Sequence, residues 1–182
     1  MAAKKHLLLG VTGSIAIVKT PAIISNLMKH GVSIHVVMTE NAARFIQPVT
    51  FKTLTRNPVT VSLWDDPAKW EPEHVALAEV ADLALVAPAD ANIIAKFANG
   101  IADDALSTEL LTIRKPVIFA PAMNPKMYAS PVLQENLKRI NMLLPETVFV
   151  GPVSGPVACG DDGKGRMAEP EEIADAVLKK LF

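Results

Sequence analysis

The chain has 182 residues, of which 50% are apolar, and a formal net charge of -1 at pH 7. This composition excludes a disordered chain, and the near-neutral charge without a Lys/Arg cluster argues against a nucleic-acid partner. A single cysteine excludes an internal disulfide framework, and no run of about 18 apolar residues is present to cross a membrane. Because Gly10 interrupts the first apolar run, which is unlike a signal peptide, we expect a cytoplasmic enzyme or binding protein.

Short apolar runs alternate with amphipathic segments along the whole chain. This alternation is typical of a parallel sheet that is covered by helices on both faces. We therefore predict an α/β, three-layer Rossmann-like fold in which residues 1–182 form a single domain around an open, mostly parallel sheet of five or six strands. Five strands are predicted from the apolar runs, at Leu7–Val11, Ile34–Met38, Leu83–Ala87, Val117–Ala120 and Thr147–Val150.

The segments between these strands predict three helices and one stretch without a clear assignment. The first helix is predicted over residues 15–28 and ends before Gly31, which favours a helix C-cap. A second follows the third strand through Phe97, and a closing helix begins near Glu171. Residues 44–72 have no predicted position in a five-stranded core. Because the apolar content is high for a small monomer, we predict that part of this stretch packs against a neighbouring subunit and helps to close the site.

Small, polar or helix-capping residues follow the carboxyl end of every predicted strand. In open parallel sheets, ligands bind outside these ends. The first such segment, Thr12-Gly13-Ser14, offers backbone N–H groups and a hydroxyl to an anion, although glycine and serine are also common in ordinary turns and caps. Its glycines match neither the dinucleotide fingerprint nor the P-loop pattern. A phosphate-bearing ligand bound here would belong to another cofactor class.

The only cysteine of the chain, Cys159, lies in a polar, glycine-rich segment. A lone cysteine is by default a small buried hydrophobe. Here, however, three glycines, two aspartates, a lysine and an arginine follow it within seven residues. We therefore predict a mobile segment and a reactive role for this thiol.

Five short segments together resemble those of a known family, the homo-oligomeric flavin-containing cysteine decarboxylases. None of them is distinctive alone, but their order and spacing match the family over nearly the entire chain. The matching segments are residues 13–16 with Lys19, His74 with residues 81–82, residues 88–92, residues 121–128, and residues 158–160.

The resemblance implies an activity, a cofactor and an assembly. The activity is FMN-dependent decarboxylation of phosphopantothenoylcysteine to 4'-phosphopantetheine in coenzyme A biosynthesis. In this family FMN oxidises the substrate thiol to a thioaldehyde, which is the electron sink that the loss of CO2 requires, and reduced flavin then returns a hydride equivalent. The assembly is a homotrimer or homododecamer with the flavin site shared between subunits. In many bacteria the enzyme is fused to phosphopantothenoylcysteine synthetase, so we expect either a stand-alone enzyme or an excised domain.

The family pattern implies three catalytic residues. His74 is the acid–base residue of the oxidation, where the alternative is a solvated histidine at a helix start. Asn124 binds the substrate carboxylate, where the alternative is a helix N-cap. Cys159 supplies a proton during the final reduction.

The pattern also implies residues that bind the cofactor and the substrate, and no metal site is expected. Asp90 and Ile93 stand where Ser and Thr are frequent, and a carboxylate beside a phosphate is unfavourable, so we predict that the Asp90 side chain caps the next helix and its backbone meets the flavin. Lys164 and Arg166 are candidates for the substrate phosphate, and a solvated loop is an equal alternative. The flavin-binding set is Gly13, Ser14, Ile15, Thr39, Asp90, Ala91, Asn92, Ile93 and Ala122, and the substrate-binding set is Asn124, Pro156, Val157 and Ala158.

Three alternatives share this fold. A peptidyl-cysteine decarboxylase has the same flavin site, histidine and asparagine, but the Ala-Cys-Gly segment at residues 158–160 favours the coenzyme A enzyme. A flavin prenyltransferase is more distant and lacks the cysteine chemistry. A non-enzymatic, flavin-binding regulatory protein is disfavoured because His74, Asn124 and Cys159 are all present and no long acidic tail follows.

Overall fold

A six-stranded sheet forms the centre of the molecule. The computed structural model describes residues 4–64, 73–156 and 160–182. Every pair of neighbouring strands in the sheet is parallel, in the order β3-β2-β1-β4-β5-β6. The predicted fold class is therefore confirmed. The strands are β1 His6–Val11, β2 Ser33–Met38, β3 Val59–Thr60, β4 Leu83–Ala89, β5 Val117–Pro121 and β6 Val148–Phe149.

Helices connect the strands and cover the sheet. No helix in the described ranges has the length and apolar character needed to span a membrane. A short 3-10 helix, Ile15–Lys19, follows β1. The α-helices are α1 Thr20–Lys29, α2 Glu40–Phe45, α3 Pro48–Thr55, α4 Glu73–Val80, α5 Ala91–Asn99, α6 Ala105–Thr112, α7 Pro125–Tyr128, α8 Pro131–Leu143 and α9 Pro170–Leu181.

The sheet is buried on both faces, which explains why its strands are apolar runs. Along β1, Leu7 and Leu9 belong to one hydrophobic cluster and Leu8 belongs to the other, because successive side chains of a strand point to opposite faces. Helices α1, α3 and α9 contribute to the first cluster, and α4, α5, α6 and α8 contribute to the second. The result is three layers with the sheet in the middle.

The predicted helices are confirmed, with one difference in the first. Residues 15–19 form the 3-10 helix, and α1 begins only at Thr20. Pro21 lies in the first turn of α1, where its missing N–H costs nothing, so it favours a new helix start at this point. The helix ends before Gly31, which has the left-handed φ of 79° that favours glycine.

The prediction that residues 44–72 have no position in the core is wrong for residues 44–60, which do pack into the core of this subunit. They form the end of α2, then α3 and β3. Phe51 and Thr55 are buried and lie one helical turn apart, and β3 pairs with β2 through Val59 and Val36. The predicted contact of this stretch with a neighbouring subunit stays a prediction, and residues 65–72 lie outside the described residues.

The glycine-rich segment around Cys159 is also more regular than predicted. Strands β7 Val153–Pro156 and β8 Asp162–Arg166 form an antiparallel hairpin. Gly165 lies so close to the segment before α7 that an added Cβ would collide with the Met123 carbonyl and lie 3.0 Å from the Pro125 nitrogen. The Met123 N–H donates to the Gly165 carbonyl at 3.0 Å. Glycine at this position therefore holds the hairpin against the end of β5.

Candidate functional site

A cavity of about 430 Å³ lies beside the carboxyl ends of the central strands. It is formed by the 3-10 helix after β1, the segment after β5, and the β7–β8 hairpin. Its walls are mostly apolar, with an amide, a hydroxyl and two cations among the lining groups. The lining residues are Ser14, Ile15, Ala16, Val18, Lys19, Met123, Asn124, Pro156, Arg166 and Met167.

The turn after β1 is held by close packing and by a helix cap. A Cβ at Gly13 would lie 2.7 Å from Cβ of Asn41, so only glycine allows the chain to approach the start of α2 this closely. Ser14 is the N-cap of the 3-10 helix, and its Oγ accepts from the Ala16 N–H at 3.3 Å. Thr39 caps α2 in the same way, because its Oγ1 accepts from the Ala42 N–H at 3.2 Å. Both caps lie at the carboxyl ends of neighbouring strands.

The side chain of Asp90 caps α5, as predicted. Its Oδ1 accepts from the Ile93 N–H at 2.8 Å. The Asp90 N–H itself donates to Oγ1 of the buried Thr12 at 3.0 Å, so this backbone donor is already engaged. Burial raises the pKa of Asp90 above its ordinary value, although the hydrogen bonds from Ile93 and Thr12 oppose the effect. A contact between Asp90 and a flavin stays a prediction.

Asn124 is a helix N-cap, the alternative that the sequence offered, and its binding of a substrate carboxylate stays a prediction. Its Oδ1 accepts from the Lys126 N–H at 2.8 Å and so caps α7. Its Nδ2 donates to Oδ2 of Asp161 at 2.6 Å. Asp161 lies between Gly160 and β8, so the cavity asparagine binds a carboxylate carried by the hairpin. The amide is therefore oriented by its oxygen and able to donate to a carboxylate with its nitrogen.

A three-membered charged group lies at the edge of the cavity. Nζ of Lys19 lies 2.9 Å from Oε2 of Glu169, and Nη2 of Arg166 lies 2.6 Å from Oε1 of the same carboxylate. The hydrogen bond from Lys19 is the main reason that the pKa of Glu169 falls below its usual range. Lys164, by contrast, is not a lining residue, and its Nζ lies 5.7 Å from the centroid of the Tyr128 ring.

The structure brings some of the predicted site residues together and separates others. Ser14, Ile15, Asn124 and Pro156 line the cavity. The side chain of Ile93 is buried in the core, and Ala122 is buried as well. Among the described residues, the predicted flavin ligands that do not line the cavity are Gly13, Thr39, Asp90, Ala91, Asn92, Ile93 and Ala122.

Other predicted residues lie beyond what the structure describes. His74 is the second residue of α4, but its side chain is outside the described part of the molecule. Val157, Ala158 and Cys159 lie outside the described residues. Sequence reasoning did not assign a role to Lys19, Met123, Met167 or Glu169. Lys19 and Glu169 are 150 positions apart in the sequence, so no local pattern could have revealed this pair.

Comparison with known families identifies the chain. The model of the family described as Flavoprotein matches residues 1–182. The chain belongs to the Flavoprotein family. This membership confirms the family resemblance seen in the sequence, and it indicates a flavin as the class of cofactor.

Individual members of the Flavoprotein family give a closer comparison. The chain is 40% identical over 177 residues to the coenzyme A biosynthesis bifunctional protein CoaBC of Borreliella burgdorferi, covering 97% of this chain and 45% of that protein. The chain thus spans less than half the length of this curated relative. The structure resembles a PPC decarboxylase mutant complexed with pantothenoylaminoethenethiol, with a TM-score of 0.86, 26% identity and coverage of 97% of this chain and 98% of the other. It also resembles the FMN-dependent cysteine decarboxylase SpaF, with a TM-score of 0.81, 31% identity and 98% coverage of both chains.

Proposed function

We propose that the chain decarboxylates phosphopantothenoylcysteine to 4'-phosphopantetheine with FMN as its cofactor. The observation that carries this proposal is the cavity asparagine, Asn124, whose amide is already oriented to donate to a carboxylate. Two comparisons support it. The similar PPC decarboxylase was complexed with pantothenoylaminoethenethiol, and the similar CoaBC protein acts in coenzyme A biosynthesis.

The cavity has the size and lining of a cofactor site, and two of the nine predicted flavin ligands line it. Ligand cavities of a few hundred Å³ with apolar walls and a few polar groups are typical of cofactor sites, and this one has about 430 Å³. Ser14 and Ile15 would hold the cofactor at the turn after β1. The similarity to an FMN-dependent cysteine decarboxylase favours FMN over other flavins. When bound, a flavin supplies the two-electron oxidation of the substrate thiol and the later return of those electrons.

Asn124 would bind the carboxylate that is lost. An uncharged amide is suited to this task, because a fixed positive charge would stabilise the carboxylate more than the transition state in which it becomes CO2. Oδ1 of Asn124 is held by the Lys126 N–H at 2.8 Å, so the amide presents its N–H side. The Asp161 carboxylate on that side would have to yield its hydrogen bond when the substrate carboxylate arrives.

His74 and Cys159 would carry the proton transfers. His74 accepts the proton of the substrate thiol during its oxidation to the thioaldehyde, since imidazole titrates near neutral pH. Loss of CO2 leaves its electron pair in an enethiolate. Cys159 would then donate a proton to the carbon that lost CO2, and return of the two electrons held by the flavin would restore the thiol. The overall reaction consumes one proton and needs no external oxidant.

We also propose a homotrimer or homododecamer, working with phosphopantothenoylcysteine synthetase in the same polypeptide or beside it. The name of the CoaBC relative, a bifunctional protein, supports the second part. Exposed apolar side chains at Ile15 and Val18, on the cavity wall, support burial by another subunit. FMN retention should then depend on the oligomer. Light scattering that found a monomer with stoichiometric FMN would contradict this part.

A peptidyl-cysteine decarboxylase is the second candidate, favoured by the similarity to the peptidyl-cysteine decarboxylase EpiD, with a TM-score of 0.81 and 25% identity. It would use the same flavin, histidine and asparagine on a larger substrate without a phosphate. The two candidates differ in substrate preference. A peptide ending in cysteine that is turned over faster than phosphopantothenoylcysteine would establish the second candidate.

The test is a product assay with matched asparagine variants. Asn124→Ala should abolish the formation of phosphopantetheine while FMN remains bound. Asn136→Ala is the control, because Asn136 lies on α8 and does not line the cavity. Equal activity of both variants would remove the carboxylate-binding role of Asn124.

A further inference from the structure

The charged group at the cavity edge joins three separate parts of the chain. Lys19 ends the 3-10 helix, Arg166 ends β8, and Glu169 precedes α9. One carboxylate receives both cations, at 2.9 Å from Lys19 and 2.6 Å from Arg166. The group therefore carries one positive charge in excess, and both of its cations line the cavity that contains Asn124.

A purely stabilising role explains this arrangement poorly. The Glu169 side chain is 50% exposed and that of Arg166 is 42% exposed, and ion pairs of this exposure contribute little to stability. Lys19 is different, because its side chain is only 24% exposed and its Nζ also lies 3.4 Å from the Met167 carbonyl. The aliphatic part of the Lys19 side chain is thus packed into the cavity wall, and its ammonium group is held beside Glu169 and the Met167 carbonyl.

The geometry of Arg166 suits an anion with several oxygens. A guanidinium presents five donors in a planar fork, whereas an ammonium acts as a compact point charge. Nη1 of Arg166 lies 3.7 Å from where a Cβ of Gly155 would be, so the fork packs over the backbone of the hairpin at a position without a side chain. A planar fork and a point charge that share one carboxylate are a combination that also binds phosphate.

We propose that Lys19 and Arg166 form a binding site for a phosphate monoester, in which Glu169 holds the two cations together until the ligand replaces it. The identity of the ligand rests on the proposed function. Two sources have this chemistry, namely the terminal phosphate of the substrate and the phosphate of the flavin. The substrate is the expected source, because a molecule with a carboxylate and a phosphate would use Asn124 and this pair in one cavity.

Binding measurements on the FMN-loaded protein test the site without requiring turnover. Phosphopantothenate and pantothenate differ only in the phosphate, so titration calorimetry with both compounds isolates its contribution. Lys19→Gln and Arg166→Gln should each lower the affinity for phosphopantothenate about tenfold or more, because each variant removes a charge-assisted hydrogen bond. The affinity for pantothenate should stay unchanged. Glu169→Gln should bind phosphopantothenate more tightly, because a competing negative charge is lost.

Lys138→Gln is the matched control for these variants. It removes a cation from the surface of α8, where Lys138 pairs with Glu135 and does not line the cavity. It should leave both affinities unchanged.

Each pattern of results has a separate meaning. Loss of FMN from the Lys19 and Arg166 variants during gel filtration, with equal affinity for both pantothenate compounds, would assign the site to the flavin phosphate. Unchanged discrimination between the two compounds together with full FMN retention would overturn the site altogether. If the wild type released no CO2 but discriminated through Lys19, the proposed function would fail and the phosphate site would stand.

Discussion

Glu109 is a buried carboxylate that should make the protein less stable as the pH rises. Its residue is 3% exposed, and no hydrogen-bond partner of Oε2 exists among the described residues. It lies on α6, which also carries the buried Leu106 and Leu110 and packs against α4, α5 and β2. Burial of the charged form without a partner is costly, and this raises the pKa of Glu109 from 4.5 to about 8.

The direction and size of the effect follow from proton linkage. Between these two pKa values Glu109 is ionised in the unfolded chain but keeps its proton in the folded chain. The free energy of unfolding is therefore highest below pH 4.5 and falls as the pH rises toward 8. Each pH unit in this window is worth about 1.4 kcal/mol. At about pH 7 the free energy of unfolding of the wild type should therefore be lower than in acidic solution by about 3 kcal/mol. Above the folded pKa the loss stops growing.

Glu109→Gln isolates this effect, because glutamine resembles the protonated carboxyl and does not titrate. Urea unfolding at fixed protein concentration, followed by circular dichroism, should give similar stabilities for both proteins at about pH 5, and a variant more stable by about 2–3 kcal/mol at about pH 7. Glu146→Gln, at an exposed position, is the control and should show no such divergence. Parallel stability curves for the wild type and Glu109→Gln would refute the reasoning.

Four further predictions concern catalysis, packing and acid stability. His74→Asn should keep FMN but fail to bleach its absorption when substrate is added; bleaching at the wild-type rate would return His74 to a solvated helix residue. Cys159→Ser should release CO2 from phosphopantothenoylcysteine yet stall before phosphopantetheine; normal product formation would remove the proton-donor role. Gly165→Ala should lower kcat/KM about tenfold or more without changing the far-ultraviolet dichroism, because its Cβ would displace the Met123 carbonyl beside Asn124; unchanged kinetics would contradict this packing. Burial, followed by the charge of His6, lowers the pKa of His35 below 6.5, so stability should fall as the pH drops through 6.5 toward the folded value; His35→Gln should lose this acid sensitivity in urea unfolding, and an unchanged pH profile would argue against it.

The sheet was predictable from sequence because its strands are buried on both faces. Continuous apolar runs such as Leu83–Ala87 arise only where both sides of a strand face other layers. The cap formed by Asp90 was predictable for a similar reason, because a carboxylate after a strand and before an apolar helix satisfies free N–H groups locally. Both features depend on neighbouring residues alone.

The features that sequence reasoning missed depend on distant contacts. Strand β8 consists of Asp-Gly-Lys-Gly-Arg, residues with low β propensity, and it is positioned by the approach of Gly165 to the end of β5. Strand β3 has only two residues, too few to form a recognisable pattern. The Lys19–Glu169 pair joins the two ends of the chain. None of these contacts produces a periodic pattern in the local sequence.

The most direct measurement is the stoichiometry of the reaction on phosphopantothenoylcysteine. The FMN-loaded protein, supplied with carboxyl-labelled substrate under anaerobic conditions and with no added oxidant, should release one CO2 for each phosphopantetheine formed over many turnovers. This result is expected because the electrons removed from the thiol return to the product. No CO2 above that of the flavin-free protein, or a requirement for an external oxidant, would contradict the proposed function.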